Sequence, residues 1–218
     1  MEDDLSIALS GPDLSAAAAA AARRLADRAA ASGTADLAYA VVHSPLGSLV
    51  AAVTARGLAC LAYSGEGPEP VVEDLARRLS PRIVESRVRT DEVRRQLDEY
   101  FDGCRENFEL DLDWALVRGF ARPVLQATAA IPFGEVRSYR RVAAAAGNER
   151  AARAAGHALS TNPIPIVVPC HRVVTSSGGL GGYSGGLDRK RALLALERCP
   201  RLSGMSAGGE ARRRGGRE

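Results

Sequence analysis

The chain has 218 residues, 46 % of them hydrophobic, and 29 Lys+Arg against 26 Asp+Glu leave a net charge of +3. That length holds one large domain or two small ones, and no apolar run reaches the ~18 residues of a membrane span. The acidic start Met1-Glu2-Asp3-Asp4 does not suit a signal peptide, so a cytoplasmic, membrane-free protein without disulfides is expected.

The charge is unevenly spread. Residues 1–113 carry 12 arginines and 20 acidic residues, a net −8; residues 114–218 carry 17 basic and 6 acidic residues, a net +11. A basic C-terminal half suits a polyanionic partner, or it is simply a solvated arginine-rich surface in a chain whose one lysine is Lys190.

Residues 1–36 are Ala-rich; a helix over Ser15 to Ala31 is expected, on a loosely attached extension. Tyr39 to His43, Ser48 to Thr54 and Leu58 to Tyr63 are apolar runs separated by turn residues, which predicts an antiparallel meander. Helices follow over Val71 to Leu79 and Asp91 to Phe101, with strands over Arg82 to Glu85 and Phe108 to Leu112. Cys60, within an apolar strand, reads as a core residue. From Trp114 the pattern turns helical. Phe120 to Ile131 forms a helix, Ser138 caps a second ending at Gly147, and Asn148 caps a third to about Leu159. The last two make a helix-turn-helix. A glycine-rich loop spans Ser176 to Gly186, and Asp188 caps a final helix to Glu197. The boundaries expected are 1–36 extension, 37–113 N-terminal α/β domain, 114–202 C-terminal domain and 203–218 disordered basic tail.

Residues 160–174 carry the chemistry. Pro163, Pro165 and Pro169 lack amide donors and fix φ, so this segment is not helical; Ile166 to Val168 reads as a short buried strand. Cys170 and His171 stand side by side. A free thiol titrates near ~8.5 and needs a base or nearby positive charge to become a nucleophile, which His171 and Arg172 supply. A cysteine in apolar surroundings is otherwise an inert core residue. Cys60, Cys104, Cys170 and Cys199 show no C-x-x-C spacing, and His43, His157 and His171 are too few for a structural zinc site, so neither metal nor cofactor is expected.

The helix from Asn148 to Ala158 has small residues at Ala151, Ala152, Ala155 and Gly156 with arginines at 150 and 153. Such a helix either approaches a nucleic-acid backbone closely, with Arg150 and Arg153 on phosphates, or packs tightly in a core.

Asn162-Pro163-Ile164-Pro165 followed by Pro169-Cys170-His171-Arg172-Val173-Val174 resembles the active-site signature of the O6-alkylguanine-DNA alkyltransferases. The likeness covers roughly residues 38–202 and is strongest from Ile131 to Glu197. It implies an α+β fold: an N-terminal ribonuclease-H-like α/β domain with a small antiparallel sheet, then an all-helical, winged-helix-like C-terminal domain with the helix-turn-helix. It implies direct-reversal repair by a single-turnover methyltransferase on double-stranded DNA containing O6-alkylguanine, with O4-alkylthymine a further candidate. The protein would bind through the minor groove, as a monomer, without a cofactor.

Residue by residue, the resemblance makes Cys170 the nucleophile, His171 its base and Glu197 the orienter of His171. Tyr139 would push on the target phosphate and serve guanine N3. Arg153 would fill the space left by the flipped nucleotide, and Ala151, Ala152, Gly156 and Arg150 would face the groove. Leu159, Tyr183 and Ser184 would line the base pocket, with Val173 offering a backbone carbonyl and Asn162 bracing the recognition helix. By residue type alone, Tyr139 is an ordinary half-buried helix residue and Glu197 a solvated carboxylate. Two readings on the same fold compete: a non-catalytic alkylated-DNA binding protein, and a redox-sensing DNA-binding regulator. A cysteine hydrolase lacks an oxyanion-hole pattern.

Overall fold

The computed structural model describes residues 12–65 and 67–198. Cys199 and the tail expected over 203–218 lie outside them. Strands β1 (Leu37–Val42), β2 (Leu49–Thr54) and β3 (Gly57–Tyr63) form the expected antiparallel meander, in register at Ala40↔Ala51 and Ala51↔Leu61. After α1 (Pro12–Ala31) and the meander come α2 (Glu69–Arg78), β4 (Ile83–Glu85) and α3 (Arg87–Phe101). β4 adds to β1 in parallel, giving the order β3-β2-β1-β4. Leu49 to Val53 are buried on both faces, as befits the central strand of a covered sheet.

Helix α3 starts earlier than its apolar pattern suggests, because Ser86 accepts a hydrogen bond from Arg89 N and caps it. The Ser86 hydroxyl also donates to Asp27 Oδ1 at 2.5 Å, which ties α1 to the sheet edge, although most described α1 side chains are exposed. One face of the sheet packs Leu37, Ala52 and Cys60 against Leu75 of α2. The other packs Ala38, Ala51 and Leu61 with Val93, Leu97 and Tyr100 of α3, and this core runs on into the C-terminal helices.

Phe108 to Leu112 is not a strand. It makes a single bridge, Leu58↔Leu112, after which the Asp113 side chain turns inward to accept from Ala115 N and the Thr54 hydroxyl. Those bonds start a short 3-10 turn, Trp114–Leu116, and end the pairing.

The C-terminal half holds α4 (Ala121–Ala129), α5 (Tyr139–Ala145), α6 (Ala152–Ser160) and α7 (Leu187–Arg198). It is not all-helical: β5 (Arg137–Ser138) pairs in parallel with β6 (Val173–Val174). The pairing anchors the chain just before α5 to the chain just after Cys170. Ser138 caps α5 as expected, accepting from Arg141 N at 3.3 Å. Gly147, at φ +91°, makes the turn, and Asn148 accepts from Arg150 N at 3.2 Å to open a 3-10 turn that runs into α6. Asp188 does not cap α7; it lies inside the first turn, with its carboxylate exposed and paired to Arg191. Among the described residues no helix is long and apolar enough to cross a membrane.

Candidate active site

The segment before Cys170 is a folded arm, not the expected strand over Ile166 to Val168. Val168 N donates to Ile164 O, Pro165 bridges Val168, and buried Ile166 sits at φ +75°, a costly conformation for a β-branched residue. The prolines cannot donate to a ladder, so a side chain takes over. Asn162 Oδ1 accepts from Ile164 N at 3.0 Å, and Asn162 Nδ2 donates to Val168 O at 2.9 Å. The same Nδ2 lies 3.2 Å from Cys170 Sγ. Pro163 O accepts from Leu61 N at 2.8 Å, which fastens the arm to β3.

Cys170, His171 and Arg172 form one 3-10 turn and are all buried. Glu197, near the end of α7, is also buried rather than solvated. Its Oε1 lies 2.8 Å from His171 Nε2. It also accepts from Arg172 Nε at 2.9 Å and from the Tyr100 hydroxyl at 2.8 Å. Burial works against its ionisation, but the bonds from His171 and Arg172 win and hold its pKa at about 2. An ionised Glu197 can only accept, so His171 Nε2 carries the proton and Nδ1 has the lone pair. Burial lowers the His171 pKa despite the Glu197 bond, so the ring is neutral. Its Nδ1 is buried and has no hydrogen-bond partner among the described residues.

Burial pushes the Cys170 pKa up to about 11, and the Asn162 hydrogen bond and the charge of Lys190 only partly offset it. Lys190 is fully buried, and its Nζ donates to the carbonyls of Val173 (2.6 Å), Gly182 (3.2 Å) and Leu180. One ammonium thus stitches the glycine-rich loop to the strand after the cysteine and brings positive charge near the sulfur.

A pocket of about 430 Å³ opens over Cys170, walled by Tyr139, Gly156, Leu159, Gly182, Tyr183 and Ser184. The sequence separates these residues by up to 45 positions; the turn between α5 and α6 and the loop after β6 bring them together. The Tyr139 hydroxyl lies 3.5 Å from Gly182 O. A Cβ on Gly181 would stand 2.6 Å from that hydroxyl, so the rim there requires glycine. Val173 does not reach this wall. Its carbonyl accepts from Lys190, which leaves one lone pair free. Arg150, in the 3-10 turn before α6, and Arg153, on α6, are exposed, and Ala151, Ala152 and Gly156 are half-buried.

Residues 119–199 match the family profile described as "6-O-methylguanine DNA methyltransferase, DNA binding domain". The chain is 43 % identical over 169 residues to the methylated-DNA–protein-cysteine methyltransferase of Mycolicibacterium paratuberculosis, covering 73 % of this chain and 92 % of that one. It belongs to the methylated-DNA–protein-cysteine methyltransferase family. The Methanosarcina barkeri methyltransferase is 38 % identical over 159 residues, covering 73 % and 96 % of the two chains. Among solved structures, the Mycobacterium tuberculosis O6-methylguanine methyltransferase superposes with a TM-score of 0.66 at 37 % identity, covering 77 % of this chain and 96 % of that one. The M. tuberculosis OGT in complex with DNA matches at 0.61 and 37 %, covering 74 % and 92 %.

The sequence does not show what three residues of this site bind. By sequence Arg172 is a positive charge beside the thiol; in the structure its guanidinium is bound to Glu197 and to Ile131 O. Lys190 carried a signal, as the one lysine in an arginine-rich chain. Tyr100 carried none, because its spacing with Val93 and Leu97 reads as ordinary helix core.

Proposed function

We propose that this methyltransferase repairs double-stranded DNA by taking the alkyl group from O6 of guanine onto Cys170 Sγ, once per molecule. The observation that carries this reading is the placement of Cys170 in the lining of the pocket, next in the chain to a buried, neutral His171 whose Nδ1 has no hydrogen-bond partner among the described residues. In the reaction the sulfur forms a bond to the alkyl carbon while the carbon–O6 bond breaks, and its electron pair leaves on the guanine. The Cys170 proton goes to His171 Nδ1, through water. The imidazolium is then held by Glu197, and the guanine is reprotonated or hydrogen-bonded by Tyr139 and Ser184. A thioether does not return to a thiol under mild conditions, so turnover stops at one.

The target base must leave the duplex to reach the sulfur, at a cost of roughly a few kcal/mol. In this reading α6 enters the minor groove, Arg153 fills the gap, Tyr139 presses the phosphate, and a monomer suffices. The half-buried Ala152 and Gly156 and the exposed Arg153 on α6, with Ala151 and exposed Arg150 in the turn before it, support that docking. The sheet order, with one parallel outer strand, supports a ribonuclease-H-like N-terminal domain over 37–113, and the helix-turn-helix supports a winged-helix-like domain over 114–202.

Intact-mass analysis after mixing with a duplex carrying O6-methylguanine tests the proposal. The expected result is a stoichiometric gain of one methyl, mapped to the Cys170 peptide and absent in Cys170→Ser. Binding with unchanged mass would favour the non-catalytic or redox-regulator reading instead.

A further inference from the structure

Glu197 Oε1 is shared by three donors from two parts of the chain: His171 Nε2 at 2.8 Å, Arg172 Nη2 at 2.9 Å and the Tyr100 hydroxyl at 2.8 Å. Arg172 and His171 come from the cysteine turn. Tyr100 comes from α3, in the N-terminal half, 97 residues away. Its ring is fully buried and fixed among Phe108 (5.2 Å between centroids) and Phe133 (6.3 Å, edge-on), and the Arg172 guanidinium lies over Phe133 at 5.8 Å. A ring so held cannot follow a moving carboxylate, so it acts as a fixed post.

We propose that Tyr100 is a positioning residue for the proton transfer: its hydroxyl holds Glu197 where His171 must keep its proton on Nε2 and present Nδ1 to Cys170. This rests on the alkyl-transfer reading above and adds a part for the N-terminal half in it. Burial and the charge of Glu197 both keep the Tyr100 hydroxyl protonated, so it serves as a donor and never as the base. Arg172 alone anchors the carboxylate by its Oε2 side as well as Oε1. Tyr100 adds the constraint on Oε1, the oxygen that faces the imidazole.

The same bond tunes the base. A hydrogen bond donated to a carboxylate draws off part of its charge. Without Tyr100, Glu197 attracts the imidazolium more strongly, and His171 becomes easier to protonate. The other charged or titratable groups around His171 are Arg172 and Cys170 in its own turn, Lys190 and Glu197 on α7, and Tyr183, whose ring stands edge-on at 6.4 Å.

The test uses the full chain and a duplex carrying O6-methylguanine, with the single-turnover rate followed against pH. Tyr100→Phe keeps the ring and removes the hydroxyl. The expected result is a rate at neutral pH lower by roughly tenfold, with the acid limb moved up by about half a pH unit and DNA affinity unchanged. Placing 3,5-difluorotyrosine at position 100 gives a stronger donor of nearly the same shape, and the acid limb should then move down. Profiles that coincide with the parent protein's for the folded variants would overturn the assignment. So would parallel shifts of both variants. The parent protein, run alongside, must transfer its methyl; its failure to do so would strike the alkyl-transfer reading itself.

Discussion

Asn162 Nδ2 lies 3.2 Å from Cys170 Sγ and 2.9 Å from Val168 O, so one amide group shapes the arm and touches the sulfur that the arm delivers. The arm has three prolines and a residue at positive φ, and it lacks the ladder hydrogen bonds that would otherwise fix it. Its rigidity comes from that side chain and from the bond to Leu61 on β3. The position of the thiol and its tendency to ionise are therefore set by the same contact.

Asn162→Asp separates the two roles. The carboxylate keeps an acceptor for Ile164 N but loses the donor to Val168 O and to the sulfur. It also places negative charge where a thiolate must form. The thiol should then titrate above the parent value of about 11, and transfer should slow by roughly a hundredfold. Thiol alkylation rates against pH, together with single-turnover kinetics, measure both effects. An unchanged thiol titration would show that the amide does not bear on the sulfur.

Arg153 is exposed on α6. Arg153→Ala should leave the melting temperature unchanged. Reaction with duplex DNA should fall by roughly ten- to a hundredfold, since the gap left by the flipped base goes unfilled. Reaction with free O6-alkylguanine base should not change. The salt dependence of DNA binding should weaken by about one unit of slope. Equal losses on duplex and free base would remove the wedge role.

The meander, the helix-turn-helix, its Ser138 and Asn148 caps and the non-helical character of the Cys170 arm were all legible, because each depends on local chemistry: alternation, cap residues, or proline; the fold of that arm over Ile166 to Val168 was not. The failures have a different cause. Phe108 to Leu112 has a strand pattern, but pairing ends where Asp113 turns inward, and that depends on a contact with Thr54. The β5–β6 pairing joins two-residue segments 36 positions apart, too short to leave a period in the sequence. Glu197 looks like any helix carboxylate until Arg172, His171 and Tyr100 converge on it. Pair chemistry at long sequence distance is what periodicity cannot report.

Lys190 is a buried cation with three carbonyl acceptors and no carboxylate partner among the described residues. Lys190→Met keeps the stem and removes the charge and the donors. Carbonyls of Val173, Leu180 and Gly182 then lose their partner, and the loop carrying Tyr183 and Ser184 loosens. Stability should drop by roughly 1–3 kcal/mol. The Cys170 thiol should become harder to ionise, because the favourable charge is gone. Urea melts and thiol titration of the variant check the two effects independently. A titration that matches the parent protein's would limit Lys190 to a structural part.

The buried His171–Glu197 pair makes the fold acid-sensitive in two stages, both of one sign. His171 has its pKa lowered by burial, so the unfolded chain takes up its proton first, and stability falls as the pH drops below about 6.5. Glu197 has its pKa held at about 2 against 4.5 for an ordinary glutamate. Its contribution is fully present above about 4.5 and is lost as the pH falls toward 2, amounting to roughly 3 kcal/mol at full loss. Urea unfolding midpoints at pH 7.5, 5.5 and 4 should therefore decline in that order. A His171→Asn, Glu197→Gln double variant has neither titrating group and should be less stable at pH 7.5, with a flatter decline below it. The comparison is made in protein that has met no alkylated DNA. If the double variant lost stability with acid as steeply as the parent protein, the acid sensitivity would belong to other groups and the ionised Glu197 would not be its source.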